Sequence, residues 1–452
     1  MRLVNPATEK SFAMIQESGV AEIELACGAA LEGTAALAQM PLADRKDMVV
    51  ALGRALQKRA EALGALITAQ MGVPSKVAAG LQVQSALGVI DATVEAIEED
   101  SFTSRLGSSI VRHDPIGPVA AITPWNYPLL QTISKVVPAL LAGCAVVLKP
   151  SEYTPLDAII LAEATKEANL PKGAFNVVFG NGPTVGESLI SNNLIRMISF
   201  TGSTAVGGHI AAVAARSIKQ VALELGGKSA SIVLPGADLR AGVTDAVHST
   251  FINSGQTCSA LTRLVVPRSQ LSAAEEIAAS TAAEMVVGDP SDPAVDIGPV
   301  ANRNQWENVT ELLERAAIDG ARTAWIYPKE KLPQVGYYVP PQILVTDDPH
   351  STVAQKEIFG PVLTILPYDD VEHAVEIANS TPYGLAGAVW GPDEDGALEV
   401  AARVDTGTVA INGAPFDNQA PFGGIKLSGY GRELGKIGVL EFTTMKSVYV
   451  PK

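Results

Sequence analysis

Between Pro118 and Gly226 the chain alternates short β-branched runs with helical patterns, and this alternation limits its fold more than any other feature. The runs read PVAAIT, AVVLKP, FNVVFG, RMISFTG and QVALELGG, with helices predicted from about residues 127, 155, 183 and 203. Parallel strands need a crossover connection, usually a helix, so this rhythm is typical of βαβ units. The sequence therefore predicts an α/β fold built on a doubly wound parallel sheet.

Each predicted strand is followed by polar residues, Gly or Pro. The segments are TPWNYP, KPSE, GNGP, FTGST and ELGGKS, in chain order. Ligands of doubly wound sheets bind beyond the carboxyl ends of the strands. We therefore expect a binding site at this edge of the sheet.

The rest of the chain predicts further layers. Apolar spacing predicts helices over 20–72, ending at Met71-Gly72, and over 75–99. A second α/β pattern runs from Ser229 to about residue 430. Because 452 residues exceed the roughly 250–300 at which a single core stops growing, more than one domain is expected.

Two segments outside these patterns look like strands without neighbours. Residues 101–113 are extended and polar, and residues 440–450 alternate in polarity. Unpaired strand edges favour unwanted association. We expect the two segments to pair with each other and to extend a sheet between subunits.

Charge and cysteine content exclude several classes of function. A net charge of −15 argues against nucleic acid and anionic membranes as partners. Cys27, Cys144 and Cys258 are far apart with no C-x-x-C pair, so neither a disulfide framework nor a metal site is expected. The N-terminus shows no secretory signal, and the most apolar run, 136–148, is too short to span a bilayer. We expect a cytoplasmic protein.

Several short motifs carry groups that suit catalysis or ligand binding, yet each also has an ordinary structural explanation. Cys258 lies among small polar residues in NSGQTCSALTR, whereas Cys144 lies in an apolar run. Alone, Cys258 is either a nucleophile or a structural cysteine. Asn126 is either a hydrogen-bond donor to an oxyanion or part of an ordinary turn. Glu224 is either a general base or one partner of a salt bridge.

The motifs become informative through their order along the chain. PWN, KPSE, FTGS, ELGGKS, GQTC, EIFGPV and PFGGIKLSGYGRELG follow one another, and 34 positions separate Glu224 from Cys258. In this the chain resembles the aldehyde dehydrogenase superfamily, from NPATEK at residues 5–10 to the terminal strand. The resemblance implies a cofactor-binding domain (1–100 and 117–226), a catalytic domain (227–432) and a β oligomerisation arm (101–116 and 433–452).

The resemblance implies oxidation of an aldehyde to a carboxylic acid with NAD(P)+. Cys258 would be the nucleophile that forms a thiohemiacetal and then a thioester. Asn126 and the Cys258 backbone N–H would hold the oxyanion, and Glu224 would activate the hydrolytic water. Lys135 and Glu433 would form a proton relay. Because branches that use coenzyme A generally lack the glutamate base, hydrolysis is expected.

For the cofactor, the resemblance implies NAD, with NADP possible if the Glu152 side chain rotates away. Trp125 and Ser203 match pyrophosphate contacts, Lys149 and Glu152 contacts to the adenosine ribose, and Glu357 and Phe359 the nicotinamide-ribose end. Glu152 would repel the 2′-phosphate of NADP. The remaining cofactor positions are Ile122, Thr123, Pro124, Gly182, Phe200, Gly202, Val206 and Leu225.

The implied substrate pocket is lined by Tyr127, Ser134, Thr257, Ser259, Phe416 and Phe422. Family members that act on cationic aldehydes often carry tryptophan where this chain has Ser134, which removes one wall of a cation-binding box. No basic residue obviously faces the pocket, so medium-sized apolar or aromatic aldehydes are expected.

The expected assembly is a homodimer or homotetramer. Because the chain begins almost at NPATEK, the extra N-terminal strands of longer members are missing, which weakens the case for a tetramer. Two other interpretations stay open: a family member that has lost catalysis, and an esterase-like variant with poor cofactor binding.

Overall fold

The structure is a computed structural model that describes residues 1–451. Its N-terminal part combines a β-hairpin with a group of helices that end at a pair of polar strands. These elements are β1 (Arg2–Asn5), β2 (Lys10–Met14), α1 (Val20–Gln39), α2 (Leu42–Gln57), α3 (Ala60–Met71), α4 (Ser75–Val77), a π-helical turn (Ala78–Val83), α5 (Gln84–Glu95), β3 (Thr103–Leu106) and β4 (Ser109–Pro115). As predicted, α3 stops at Met71, immediately before Gly72.

The next part forms the predicted doubly wound sheet. Its elements are β5 (Val119–Ile122), α6 (Pro128–Ala142), β6 (Val146–Lys149), α7 (Leu156–Glu167), β7 (Phe175–Val177), α8 (Glu187–Ser191), β8 (Met197–Thr201), α9 (Thr204–Ala215) and β9 (Gln220–Glu224). The strand order β9-β8-β5-β6-β7 is parallel throughout and reverses direction between β5 and β8. The loops after these two strands therefore flank the crevice where such sheets bind ligands.

A second, larger sheet follows. Its elements are β10 (Ala230–Val233), α10 (Leu239–Phe251), β11 (Arg263–Pro267), α11 (Leu271–Ala283), α12 (Arg303–Ile318), β12 (Arg322–Ile326), β13 (Gln342–Val345), α13 (Thr352–Gln355), β14 (Val362–Tyr368), α14 (Val371–Asn379), β15 (Ala386–Trp390), α15 (Glu394–Ala401) and β16 (Thr408–Ile411). The order is β12-β13-β14-β11-β10-β15-β16, with only the edge strand β12 antiparallel. The sequence pattern missed β12 and β13, because β12 is largely exposed and β13 has only four residues.

The chain then returns to the first sheet through β17 (Gly429–Tyr430), α16 (Gly435–Leu440) and β18 (Thr443–Tyr449). β17 pairs antiparallel with β9, and Phe422, Leu434 and Val439 join the hydrophobic core beneath the first sheet. β17 lies within the range predicted for the catalytic domain (227–432), yet it pairs with a strand of the first sheet. The domain limits themselves stay a prediction.

The two polar strands found in the sequence pair with each other. β18 lies antiparallel to β4, from Thr443 opposite Pro115 to Tyr449 opposite Ser109, and β3 pairs with the other side of β4. The predicted pairing is thus present within one chain. Its extension to a second subunit stays a prediction.

The segment Ser75–Glu95 is long and apolar enough to span a membrane by length and composition. In the structure it is part of the main core, where Ala78, Val83 and Ile90 are buried with the residues of the first sheet. It therefore has the burial of a core helix.

Candidate active site

Cys258 lies in the loop between α10 and β11, where it lines two cavities at once. The switch-point cavity opens beside β5 and β8 and has an empty volume of ≈ 770 Å³. The apolar cavity lies against α5 and α6 and has an empty volume of ≈ 870 Å³. A thiol at the junction of the two can contact molecules bound in both.

The loop before Cys258 is held in a single conformation by its backbone and by Gln256. Asn253, Ser254 and Gly255 all have positive φ, at 55°, 55° and 78°. A Cβ on Gly255 would lie 2.0 Å from the carbonyl carbon of Gly360, so only glycine fits there. The buried Gln256 side chain accepts from the Ala301 N–H at 2.8 Å and donates to the Asn253 carbonyl at 3.0 Å.

Asn126, predicted as the oxyanion donor, is fixed beside this loop. Its side-chain nitrogen donates to the Gln256 carbonyl at 2.9 Å, and the residue is only 5% exposed. An amide carries two N–H groups, so one remains available to a bound molecule. Asn126 lines the switch-point cavity together with Cys258.

Glu224, predicted as the general base, lies at the end of β9 and lines the same cavity. Its Oε1 is buried without a hydrogen-bond partner. Burial, followed by the charge of Glu433, raises the pKa of Glu224 well above its ordinary value, although Lys135 opposes the shift. A carboxylate with a raised pKa is the stronger base, which suits activation of water.

Lys135 and Glu433 form a buried ion pair, with side chains 1% and 8% exposed. α6 supplies the lysine, and the returning chain supplies the glutamate just after β17. The two residues predicted to form the proton relay are thus in contact. The charge of Glu433 contributes to the raised pKa of Glu224.

The structure favours the neutral thiol of Cys258. Its side chain retains some exposure, but the surrounding protein and then the charges of Glu224 and Glu357 raise its pKa to about 12. Backbone N–H groups of Ser259 and Cys258 oppose this shift without overcoming it. Burial and two carboxylates therefore outweigh the N–H groups.

The predicted cofactor residues lie along the carboxyl edge of the first sheet. Ile122 is opposite both Lys149 and Phe200 in the strand register, and Thr123 follows directly. The part of the group that lines the switch-point cavity comprises Pro124, Trp125, Gly202, Ser203, Leu225, Glu357 and Phe359. Trp125 and Phe359 meet edge to face at 5.4 Å and form an aromatic wall.

Lys149, Glu152 and Gly182, also predicted for the cofactor, are not part of the lining of that cavity. The Lys149 Nζ is 3.4 Å from Glu152 Oε2, and burial lowers the pKa of Lys149. Gly182 begins the turn whose Gly186 lies beside the Lys149 side chain. Ser203 caps α9 by accepting from the Val206 N–H at 3.4 Å.

These residues fit a dinucleotide. The N–H groups that begin α9 suit a pyrophosphate, and Lys149 with Glu152 suits vicinal hydroxyls. Glu357 accepts from the Gly227 N–H at 3.1 Å, and burial raises its pKa to about 7. A Cβ on Gly226 would lie 2.0 Å from Glu357 Oε2, so the glycine leaves room for this carboxyl group.

The apolar cavity contains every residue predicted for the substrate: Tyr127, Ser134, Thr257, Ser259, Phe416 and Phe422. Tyr127 and Thr257 share a hydrogen bond of 2.8 Å, and the rings of Phe416 and Phe422 are 5.6 Å apart. Its one charged lining residue is Glu433, already paired with Lys135. The cavity therefore presents an essentially uncharged wall.

Several lining residues were missed from the sequence. They are Leu81, Ser85, Val89, Leu130, Gln131, Asn418 and Leu434 in the apolar cavity, and Thr201, Gly226, Gln305 and Asn308 in the switch-point cavity. Most lie on helices whose spacing predicts burial but not which buried face borders a cavity. Within residues 1–451, no group of three or more His, Cys, Asp or Glu is arranged to hold a metal ion.

Comparison with known proteins agrees with this geometry. Residues 1–448 match the aldehyde dehydrogenase family. The chain is 39% identical over 449 residues to 3-succinoylsemialdehyde-pyridine dehydrogenase of a Pseudomonas species, covering 99% of this chain and 94% of that protein. It is 39% identical over 462 residues to geranial dehydrogenase of Castellaniella defragrans, covering 99% of this chain and 95% of that protein.

Solved structures show the same fold. A mutant aldehyde dehydrogenase C of Pseudomonas syringae, in complex with NAD+ and octanal, has a TM-score of 0.96 at 38% identity, covering 99% of this chain and 93% of that one. An aldehyde dehydrogenase of Mycobacterium tuberculosis in complex with NAD+ also has a TM-score of 0.96 at 38% identity, covering 100% and 94%. The predicted fold class and reaction are confirmed. The chain belongs to the aldehyde dehydrogenase family and is an NAD(P)-dependent enzyme that oxidises an aldehyde to a carboxylic acid.

Proposed function

We propose that this enzyme oxidises uncharged, predominantly apolar aldehydes with NAD, using Cys258 as its nucleophile. The observation that carries the proposal is the position of Cys258 at the junction of the switch-point cavity, whose residues suit part of a dinucleotide, and the essentially uncharged apolar cavity. The Cys258 thiol gives its proton to water, and the thiolate attacks the aldehyde carbon to form the oxyanion of a thiohemiacetal. The free N–H of Asn126 and the backbone N–H of Cys258 stabilise the oxyanion.

NAD held by Trp125, Ser203 and Glu357 would supply the acceptor for the hydride of this adduct, and a thioester would remain on Cys258. Glu224 then takes a proton from water, and the resulting attack on the thioester releases the carboxylic acid. Lys135 and Glu433 pass that proton away from the buried Glu224. Release by water rather than coenzyme A is supported by the presence of Glu224, and acyl-CoA as the main product would contradict it.

Preference for NAD over NADP is supported by Glu152. Its carboxylate would accept from a ribose hydroxyl and would repel a 2′-phosphate at the same place. We expect a higher kcat/KM with NAD than with NADP. We expect the ratio of these two kcat/KM values to be smaller in Glu152→Gln. A wild-type preference for NADP would contradict this part of the proposal.

The substrate class follows from the walls of the apolar cavity. Phe416 and Phe422 suit an aliphatic or aromatic chain, and Ser134 provides no ring for a cation. The octanal complex and the geranial dehydrogenase described above concern apolar aldehydes, which supports the same class here. We expect kcat/KM to rise with chain length across unbranched aldehydes up to medium length, and to be low for betaine aldehyde and for carboxylated semialdehydes.

The decisive experiment measures NADH formation with this aldehyde panel for wild type, Cys258→Ala and Glu224→Gln. Cys258→Ala is expected to lose all turnover, whereas Glu224→Gln should retain a single burst of NADH with slow release of acid. Full dehydrogenase activity in Cys258→Ala would exclude this cysteine as the nucleophile. Absence of activity in the wild type with every aldehyde would favour a family member that has lost catalysis.

Two broader properties complete the proposal. A homodimer is the minimum assembly, supported by the three-stranded sheet β18-β4-β3, whose outer strands are largely exposed.

A cytoplasmic location is supported by free cysteines without disulfides among the described residues and by the core burial of Ser75–Glu95.

A further inference from the structure

The helical segment beside the apolar cavity contains a π-helical turn, Ala78–Val83, between α4 and α5. Such turns insert an extra residue into a helix and occur often at functional sites. Leu81 and Ser85 line the apolar cavity, whereas Gln82 is completely buried at 0% exposure. The established reaction assigns no role to Gln82.

Gln82 is connected to the candidate oxyanion site by direct hydrogen bonds. Its Nε2 donates to the Asn126 carbonyl at 3.1 Å and to Asn253 Oδ1 at 3.3 Å. Asn253 Nδ2 in turn donates to the same Asn126 carbonyl at 3.0 Å and to the Gln256 carbonyl at 3.2 Å. The buried network thus joins three segments: the π-helical turn, the loop after β5 and the loop before Cys258.

The network restrains Asn126 at both its backbone and its side chain. The Asn126 carbonyl receives two N–H donors, and its own Nδ2 donates to the Gln256 carbonyl, which Asn253 also contacts. With one N–H occupied, the second has a fixed direction. An oxyanion donor works best when it is oriented before charge develops.

We propose that Gln82 is a positioning residue that orients Asn126 for oxyanion stabilisation, and this inference rests on the proposed function of Asn126. Through its N–H groups, Gln82 connects the π-helical turn beside the apolar cavity to Asn126 and Asn253. Without its N–H groups, Asn253 Oδ1 loses its donor and the Asn126 carbonyl retains only Asn253. A displacement of the oxyanion donor by a fraction of an ångström then slows the chemical step.

The test compares Gln82→Met with Gln84→Met. Methionine has a similar length but no N–H donor, and Gln84 is an exposed glutamine at the start of α5. We expect Gln82→Met to lower kcat about tenfold to a hundredfold, by analogy with small displacements of catalytic groups. KM for aldehyde and for NAD should stay within about twofold of wild type, because ground-state binding is unchanged. Gln84→Met should match wild type in both parameters.

Gln82→Glu supplies a readout that simple loss of stability would not produce. A protonated carboxyl group can still donate one hydrogen bond, whereas a carboxylate cannot donate and repels the two acceptor oxygens. The ratio of kcat in Gln82→Glu to kcat in wild type, measured on folded protein, should therefore fall as pH rises. This variant tests the proposal even if Gln82→Met fails to fold.

A wild-type kcat in Gln82→Met, a loss confined to KM, or a kcat ratio independent of pH in Gln82→Glu would each overturn the role of Gln82. Asn126→Ala and Cys258→Ala separate this failure from that of the proposed function. If both are inactive while Gln82→Met is unimpaired, only the inference about Gln82 is wrong. If Asn126→Ala retains wild-type kcat, the assignment of Asn126 is wrong, and the role of Gln82 falls with it.

Discussion

The charge of Glu224 raises the pKa of Cys258 across the candidate site. After burial, the charge of Glu224 is the main cause that raises the pKa of the Cys258 thiol to about 12. Both groups must lose a proton to act, so activity should rise with pH across the neutral and mildly alkaline range. A kcat/KM profile that fell between pH 7 and pH 9 would contradict these roles.

The coupling predicts a measurable change in Glu224→Gln. Loss of the carboxylate should lower the pKa of the Cys258 thiol, although burial keeps it above that of a free cysteine. The pH dependence of alkylation by iodoacetamide reports this pKa. Glu163→Gln, at an exposed position on α7, is the matched control and should leave the profile unchanged. An unchanged profile in Glu224→Gln as well would show that the two groups are not coupled.

Asp157, in the first turn of α7, carries a second strongly shifted pKa. It is 1% exposed, its Oδ1 has no partner, and burial raises its pKa to about 7. Because the folded pKa exceeds the unfolded one, this group lowers stability progressively as pH rises from about 4 to about 7. Above that range the cost reaches up to about 4 kcal/mol by linkage.

Asp157→Asn removes this ionisation. The gain in the free energy of unfolding of the variant over wild type should be larger at pH 8 than at pH 5 by on the order of 2 kcal/mol. Urea denaturation at the two pH values measures the difference, with exposed Asp91→Asn on α5 as the control. An equal effect of Asp157→Asn at both pH values would show that Asp157 does not titrate in this range.

At the scale of elements, the loop from Asn253 to Cys258 shows how backbone conformation fixes a side chain. Gly255 has φ +78°, and an added Cβ would meet the backbone of Gly360 and Pro361. Gly28, within α1, has nothing within 4 Å of an added Cβ and no positive φ. The same substitution therefore has opposite expected effects at the two glycines.

Gly255→Ala should lower the free energy of unfolding by about 2 kcal/mol or more, since strain in left-handed backbone adds to the clash. It should also lower kcat strongly, because Cys258 is displaced. Gly28→Ala should raise stability by up to about 1 kcal/mol and leave activity unchanged. Thermal and urea denaturation together with NADH formation measure both effects. Comparable stability of the two variants would show that the loop before Cys258 can relax.

At the scale of the whole molecule, the sheet β18-β4-β3 has outer strands whose side chains are largely exposed. Met445 on β18 is 73% exposed, the same fraction as Leu25 on α1. If this sheet forms the subunit interface, Met445→Asp should shift the protein toward monomer in light scattering, and Leu25→Asp should not. Equal oligomeric states in both variants would place the interface elsewhere.

The sequence by itself determined the layered α/β architecture and the chemistry at the strand ends. Strand-helix alternation, with polar residues after each strand, forces those residues to one edge of a parallel sheet. These inferences needed only neighbouring residues and the period of their polarity. The predicted pairing of the two polar strands was also correct, and it rested on the need of each unpaired strand edge for a partner.

Only the tertiary structure decided which distant groups meet and how their charges interact. Gln82 contacts Asn126 and Asn253, which are 44 and 171 positions away, and no period in the sequence links such positions. β17 returns to the first sheet and brings Glu433 to Lys135, 298 positions apart, a contact that the family resemblance implied but that no period in the sequence indicates. The neutral thiol of Cys258 likewise depends on burial and on two carboxylates from separate segments of the chain, because a pKa is set by surroundings in space and not by adjacent residues.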